Sequence, residues 1–138
     1  MKKLVPISIA LLAVLFLAVS AFAATKTFTV SMSGKAETPK GDPNGTGTAK
    51  VTLNTSTGKV CFNLAWHRIG NPVAAHIHKG KKGVAGPVVI PFFGGAAKHT
   101  GCVKASKKLV GQIVKSPASY YVNVHTQAFP AGAIRAQL

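Results

Sequence analysis

The chain has 138 residues, with 17 lysines and arginines against two acidic residues, Glu37 and Asp42, and a formal net charge of +15. Two carboxylates in one early segment leave almost no means of paired-carboxylate catalysis, and a chain of this length holds one domain around a single core. The cationic balance predicts salt-dependent association with polyanions; no nucleic-acid motif accompanies the scattered lysines and the two arginines, Arg68 and Arg135, so specific nucleic-acid recognition is not expected.

In chain order, Lys2 and Lys3 precede an apolar run from Leu4 to Val19, and Ala21-Phe22-Ala23 supplies the small residues of a signal-peptidase site. Residues 1–23 are therefore expected to be a cleaved signal peptide, leaving residues 24–138 as the mature domain with a net charge two lower, +13. No later segment is long and apolar enough to span a bilayer, so no transmembrane segment is expected after cleavage. The protein is expected to be secreted or held in the periplasm or cell envelope.

Thr27 to Ser33 alternates, with Phe28, Val30 and Met32 on one face. Pro39 to Gly47 is turn-rich, and Gly41 to Thr48 lacks the Gly-Lys-Ser/Thr ending of a phosphate cradle. Ala49 to Leu53 alternates again, Asn54 to Gly58 reads as a hairpin turn, and Lys59 to Trp66 puts Val60, Phe62, Leu64 and Trp66 together, as core rather than as a sugar-stacking platform. Ala74 to His78, Gly86 to Phe93, His99 to Val103, Ser119 to Thr126 and Ala133 to Leu138 complete about eight strands, while Lys107 to Val114 carries one short helical turn, with Leu109 and Ile113 at i, i+4. This spacing predicts an all-β fold, an antiparallel β-sandwich or barrel. Cys61 and Cys102 both fall in strand-like segments, and export favours joining them in a disulfide worth roughly 4 kcal/mol in the chain-entropy account.

The histidines carry the most chemical information. In a strand His76 and His78 point the same way and Ile77 the other way, while Asn123 and His125 share a face of the Tyr120–Thr126 segment. A C-terminal strand joined through Phe129-Pro-Ala-Gly132 would lie beside that segment and bring Arg135 close. His76, His78 and His125 suit copper or zinc if they converge. The same residues with Asn123 and Arg135 suit a buried hydrogen-bonded cluster that fixes register. Both readings stay open here; acceptors for the outer ring nitrogens would favour the metal, and their absence the structural cluster. His67 and His99 read as loop or strand-end residues, and no Gly-x-Ser-x-Gly or cysteine nucleophile motif is present.

Several blocks together resemble the CHRD (chordin-type) domain family. They are the Phe28-to-Gly34 strand with Glu37 and Pro39, Gly45-Thr-Gly-Thr-Ala49, Ala75-His-Ile-His-Lys-Gly80 and Gly86-Pro-Val-Val89. Tyr121-Val-Asn-Val-His-Thr126 and Phe129-Pro-Ala-Gly-Ala-Ile-Arg-Ala-Gln-Leu138 complete the set. The family pattern has an acidic residue where this chain has Ala133 and a glycine where it has Ala136, which removes one partner for Arg135. The resemblance implies an extracellular β-sandwich of immunoglobulin-like look and no assigned chemistry. The order His-x-His, Gly-Pro, Val-x-Val-His and a late arginine is also similar to the copper half of Cu,Zn superoxide dismutases. On that analogy His76, His78 and His125 match copper ligands and Arg135 an anion-guiding arginine, but a bridging histidine and an aspartate-containing zinc set are missing.

The expected function is that of a non-enzymatic exported module that docks on an anionic cell-surface polymer or an extracellular protein. The alternative is a copper-binding protein or superoxide-dismutase-like metalloenzyme using the three histidines.

Overall fold

The computed structural model describes residues 24–138; the expected signal peptide, residues 1–23, lies outside them. Eight strands follow one another: β1 (Thr25–Ser33), β2 (Thr46–Asn54), β3 (Lys59–His67), β4 (Pro72–Lys79), β5 (Val88–Gly94), β6 (Thr100–Lys104), β7 (Tyr120–Thr126) and β8 (Ile134–Gln137). They form one antiparallel sheet in the order β5-β4-β7-β8-β1-β2-β3-β6. The sheet curls until its end strands β5 and β6 lie side by side without pairing, and Phe62 of β3 stacks on Phe92 of β5 across that seam at 4.5 Å. Of the two expected forms, sandwich and barrel, the chain adopts a nearly closed barrel.

Alternation in the sequence sets the inner face. Met32, Ala49, Val51, Leu53, Val60, Phe62, Leu64, Ala75, Ile77, Ile90, Val122, Val124 and Ile134 are buried together, from alternate positions of their strands. Asn54 closes the β2–β3 hairpin by accepting from the backbone N–H groups of Ser56 and Thr57, and Gly58 takes the positive φ of 74° that ends the turn. The expected helical turn is longer than one turn: α1 spans Lys107–Lys115. Ser106 caps it by accepting from the Leu109 N–H, and Val110 and Ile113 bury the inner face. Among the described residues no helix is long and apolar enough to cross a membrane.

Cys61 and Cys102 are directly opposite in the β3–β6 ladder and form the expected disulfide, with Cα atoms 4.0 Å apart. The central strand β7 is unusual, because all seven of its residues are buried. Its inward side chains join the core. Its outward ones lie beneath the segments 80–87 and 127–133, and that covered outer layer holds the site.

Candidate metal centre

The pairing of β4, β7 and β8 puts polar side chains in register on the outer face. His76 lies opposite Asn123 and Asn123 opposite Arg135; His78 lies opposite Tyr121 and Tyr121 opposite Gln137. Ala74 is opposite His125, so a small side chain leaves space for that ring beside His76. Two register shifts where β4 meets β5, at Ala75/His76 and Ile77/His78, re-aim the two β4 histidines. The three rings meet as the sequence predicts: centroids are 4.8 Å apart for His76 and His125, 5.4 Å for His76 and His78, and 5.9 Å for His78 and His125. One ring nitrogen from each lies within 4.8 Å of the other two.

Hydrogen bonds fix which nitrogens converge. His78 Nδ1 is 2.8 Å from the Gly86 carbonyl and His125 Nδ1 is 2.9 Å from the Pro130 carbonyl. A carbonyl only accepts, so both Nδ1 atoms carry hydrogen and, in the neutral rings, both Nε2 atoms present lone pairs. His78 Nε2 is buried without a hydrogen-bond partner among the described residues, and His125 Nε2 is 3.1 Å from His76 Nδ1. Outer acceptors on two rings of a three-imidazole set are the arrangement that orients metal ligands and raises their basicity. Gly86 makes the first possible: a Cβ there would overlap the Lys79 carbonyl, so only glycine brings this loop backbone onto the strand.

The site favours neutral rings. Burial pushes His76 down to about 4, and the nearby His125 and His78 push the same way. Burial also lowers His78, partly offset by its bond to Gly86 and by the nearby Asn123 side chain, and lowers His125 against the opposing bond to Pro130. Unprotonated imidazole is the ligating form.

The surroundings are polar and nearly closed. Arg135 is only 1 % exposed; it donates to the Val84 and Lys81 carbonyls at 2.8 Å each and to Gln137 Oε1 at 3.1 Å, and lies 3.3 Å over the Tyr121 ring. Tyr121 stacks in turn on His78, with centroids 4.7 Å apart. Glu37, just after a turn of 3-10 helix at Gly34–Ala36, is buried with its carboxyl against Gly132 and the Asn123 amide. Burial pushes that carboxyl up, opposed by Asn123, Arg135 and the Thr38 N–H. Gly132 has a φ of 135° and no room for a Cβ beside Glu37, so glycine is required there on both counts.

Sequence reasoning brought together His76, His78, His125, Asn123 and Arg135, and all five share this layer. It did not place Glu37, Tyr121 or the two carbonyl acceptors in the site. His67 is exposed at the end of β3, and His99 stacks on Trp66 at 3.9 Å while bonding the Leu64 carbonyl, so neither joins the cluster.

Residues 28–138, which include every side chain of this layer, match the CHRD domain family. The chain belongs to the CHRD family. No curated protein and no solved structure gives a significant match. Arg135 is held beneath the 80–87 loop by its bonds to the Val84 and Lys81 carbonyls.

Proposed function

We propose that this CHRD domain is an exported, non-enzymatic module that holds a copper or zinc ion on His76, His78 and His125. One observation carries the reading: three imidazoles converge, and two of them are oriented by backbone carbonyls on their outer nitrogens. An all-nitrogen set of neutral rings suits copper and zinc and does not suit calcium or magnesium, which take oxygen donors. The nearly closed surroundings, with His78 and His125 buried beneath the 80–87 and 127–133 segments, support binding over turnover. The test is a calorimetric titration of the purified protein with Cu²⁺ and Zn²⁺ beside His78→Ala and His125→Gln. A single ion per chain in the parent, lost in both variants, is the expected result. Failure of the parent to bind either metal sinks the reading.

A second observation bears on the partner. Glu37 is buried and Asp42 half-buried, whereas Lys79, Lys81, Lys82, Lys104, Lys107 and Lys108 are exposed. This outward charge supports docking on an anionic envelope polymer after export. Such binding should weaken steeply as salt rises; retention on an anionic resin that ignores salt would remove the electrostatic basis.

A further inference from the structure

Asn123 Oδ1 lies 2.9 Å from His125 Nε2. The Pro130 carbonyl holds the hydrogen of this ring on Nδ1, so the contact sets one lone pair against another inside a buried cluster. Acceptor against acceptor at that distance is repulsive unless something positive lies between them. Reversing the amide would turn Nδ2 toward His125 and the oxygen toward Glu37, an arrangement satisfied only while the Glu37 carboxyl is protonated and lost when it ionises. The buried side-chain atoms without hydrogen-bond partners among the described residues are Glu37 Oε1, His78 Nε2 and Asn123 Nδ2, all in this one layer.

We infer that Asn123 Oδ1 is a fourth donor to the three-histidine centre, and that Glu37 is the outer carboxylate that holds its Nδ2 and balances the charge of a divalent ion. This inference rests on the proposed metal-binding function and specifies its coordination. The spacings around His125 Nε2, 2.9 Å to Asn123 and 3.1 Å to His76, lie between the edges of about 2.8 Å in a tetragonal set and about 3.4 Å in a tetrahedral one, built from bonds of about 2.0–2.1 Å. The widest spacing in the histidine set, up to 4.8 Å, has to contract for a shared ion. The charge argument is independent of the distances. Three imidazoles and a carboxamide are neutral, and Arg135 adds a positive group to the same layer, so an ion of charge two needs a nearby anion. Glu37 is the buried carboxylate in this layer. An amide oxygen is a hard donor, so the set favours Cu²⁺ or Zn²⁺ over Cu⁺.

The test uses the purified protein with Cu²⁺ alone as the probe, read by electron paramagnetic resonance and by chelator competition, with Cu⁺ as a comparison arm. Asn123→Ala should change the copper spectrum away from three nitrogens and one oxygen and weaken Cu²⁺ about 10–100-fold, leaving Cu⁺ nearly unaffected. Glu37→Gln keeps the shape, so it should keep the spectrum while weakening Cu²⁺ over a similar range. If Asn123→Ala fails to fold, the parent spectrum and Glu37→Gln decide the matter. An unchanged spectrum and affinity in Asn123→Ala, or Glu37→Gln binding as tightly as the parent, overturns the inference while leaving the three-histidine site standing. A parent that binds no divalent ion overturns both.

Discussion

Acid should loosen the metal-free protein well above the pH at which carboxylates titrate, because the histidine cluster is folded in its neutral form. His76 falls from 6.5 in the open chain to about 4 in the fold, through burial first and then through His125 and His78. The unfolded chain therefore takes up the proton at a higher pH than the folded one. Stability from this group is intact above about 6.5, declines as pH falls below that value, and is fully lost below about 4. The full difference corresponds to about 3.4 kcal/mol at 1.36 kcal/mol per pH unit. His76 is only half-buried, and solvent screening reduces the effect to roughly 1–2 kcal/mol. His78 and His125 are lowered as well and act in the same direction. Glu37 is raised and acts in the opposite direction, so Glu37→Gln is the background in which the histidines are read cleanly. Urea unfolding in the presence of chelator, followed by Trp66 fluorescence and circular dichroism from pH 7.5 to about 4.5, measures the slope. His76→Asn should flatten it in part. A stability that stays level or rises on acidification in the Glu37→Gln background, or a slope identical in His76→Asn, would refute the account.

Glu37→Gln itself should make the metal-free protein more stable at neutral pH. A raised carboxyl contributes stability only while protonated and loses it as pH rises through its folded value, so the gain should vanish below about 4.5. Arg135→Met should cost about 3 kcal/mol by orphaning the Lys81 and Val84 carbonyls, and hydrogen exchange should quicken across residues 80–87 before it quickens in β8. Replacing Cys61 and Cys102 together by alanine should remove about 4 kcal/mol, read as a lower urea midpoint with the slope changed by the looser unfolded chain. In the parent, copper or zinc at about a hundred times its dissociation constant should add about 2.7 kcal/mol, an increment that a chelator withdraws and that His78→Ala never shows.

The strands were legible because their alternation is regular: Ala49 to Leu53 and Tyr120 to Thr126 each declare an inner and an outer face in a few residues. The bounds of the second held, but the first runs from Thr46 to Asn54, entering the expected turn-rich stretch because Thr46 and Gly47 pair with Ser33 and Met32 of β1 and with His67 and Trp66 of β3. The helix was underestimated because Gly111 and the β-branched Val110, Ile113 and Val114 are weak helix formers. It extends to Lys115 because Ser106 caps it and Val110 and Ile113 bury against the barrel. Convergence of the histidines followed from period two and a short turn. The acceptors did not, since Gly86 and Pro130 act through backbone carbonyls that no residue type announces. The cover over β7 was hidden for a similar reason. Lys81-Lys-Gly-Val84 reads as a solvated loop, and Arg135, distant in sequence, draws it onto the sheet, with Gln137 at Gly80 and His78 and Tyr121 at Gly86. Glu37 had one legible signal: a buried arginine in a chain with two carboxylates has few counter-charges from which to choose.

The unpaired seam between β5 and β6 gives this barrel a direction in which to come apart. Around most of the circumference, opening a strand breaks two ladders; at the two end strands it breaks only one, β5 from β4 or β6 from β3. Phe62 lies over the bare backbone of Gly101 and against Phe92, so the seam is held by ring contact rather than by a row of backbone bonds. The cross-link at Cys61 and Cys102 ties one of these end strands, β6, to its only neighbour. The histidine layer, on β4 and β7, lies one strand in from the β5 side of this seam, with β7 laddered on both sides. Under load or in a reducing environment the molecule would unzip at the seam first, and on the β5 side the breach would stop one ladder short of the histidines.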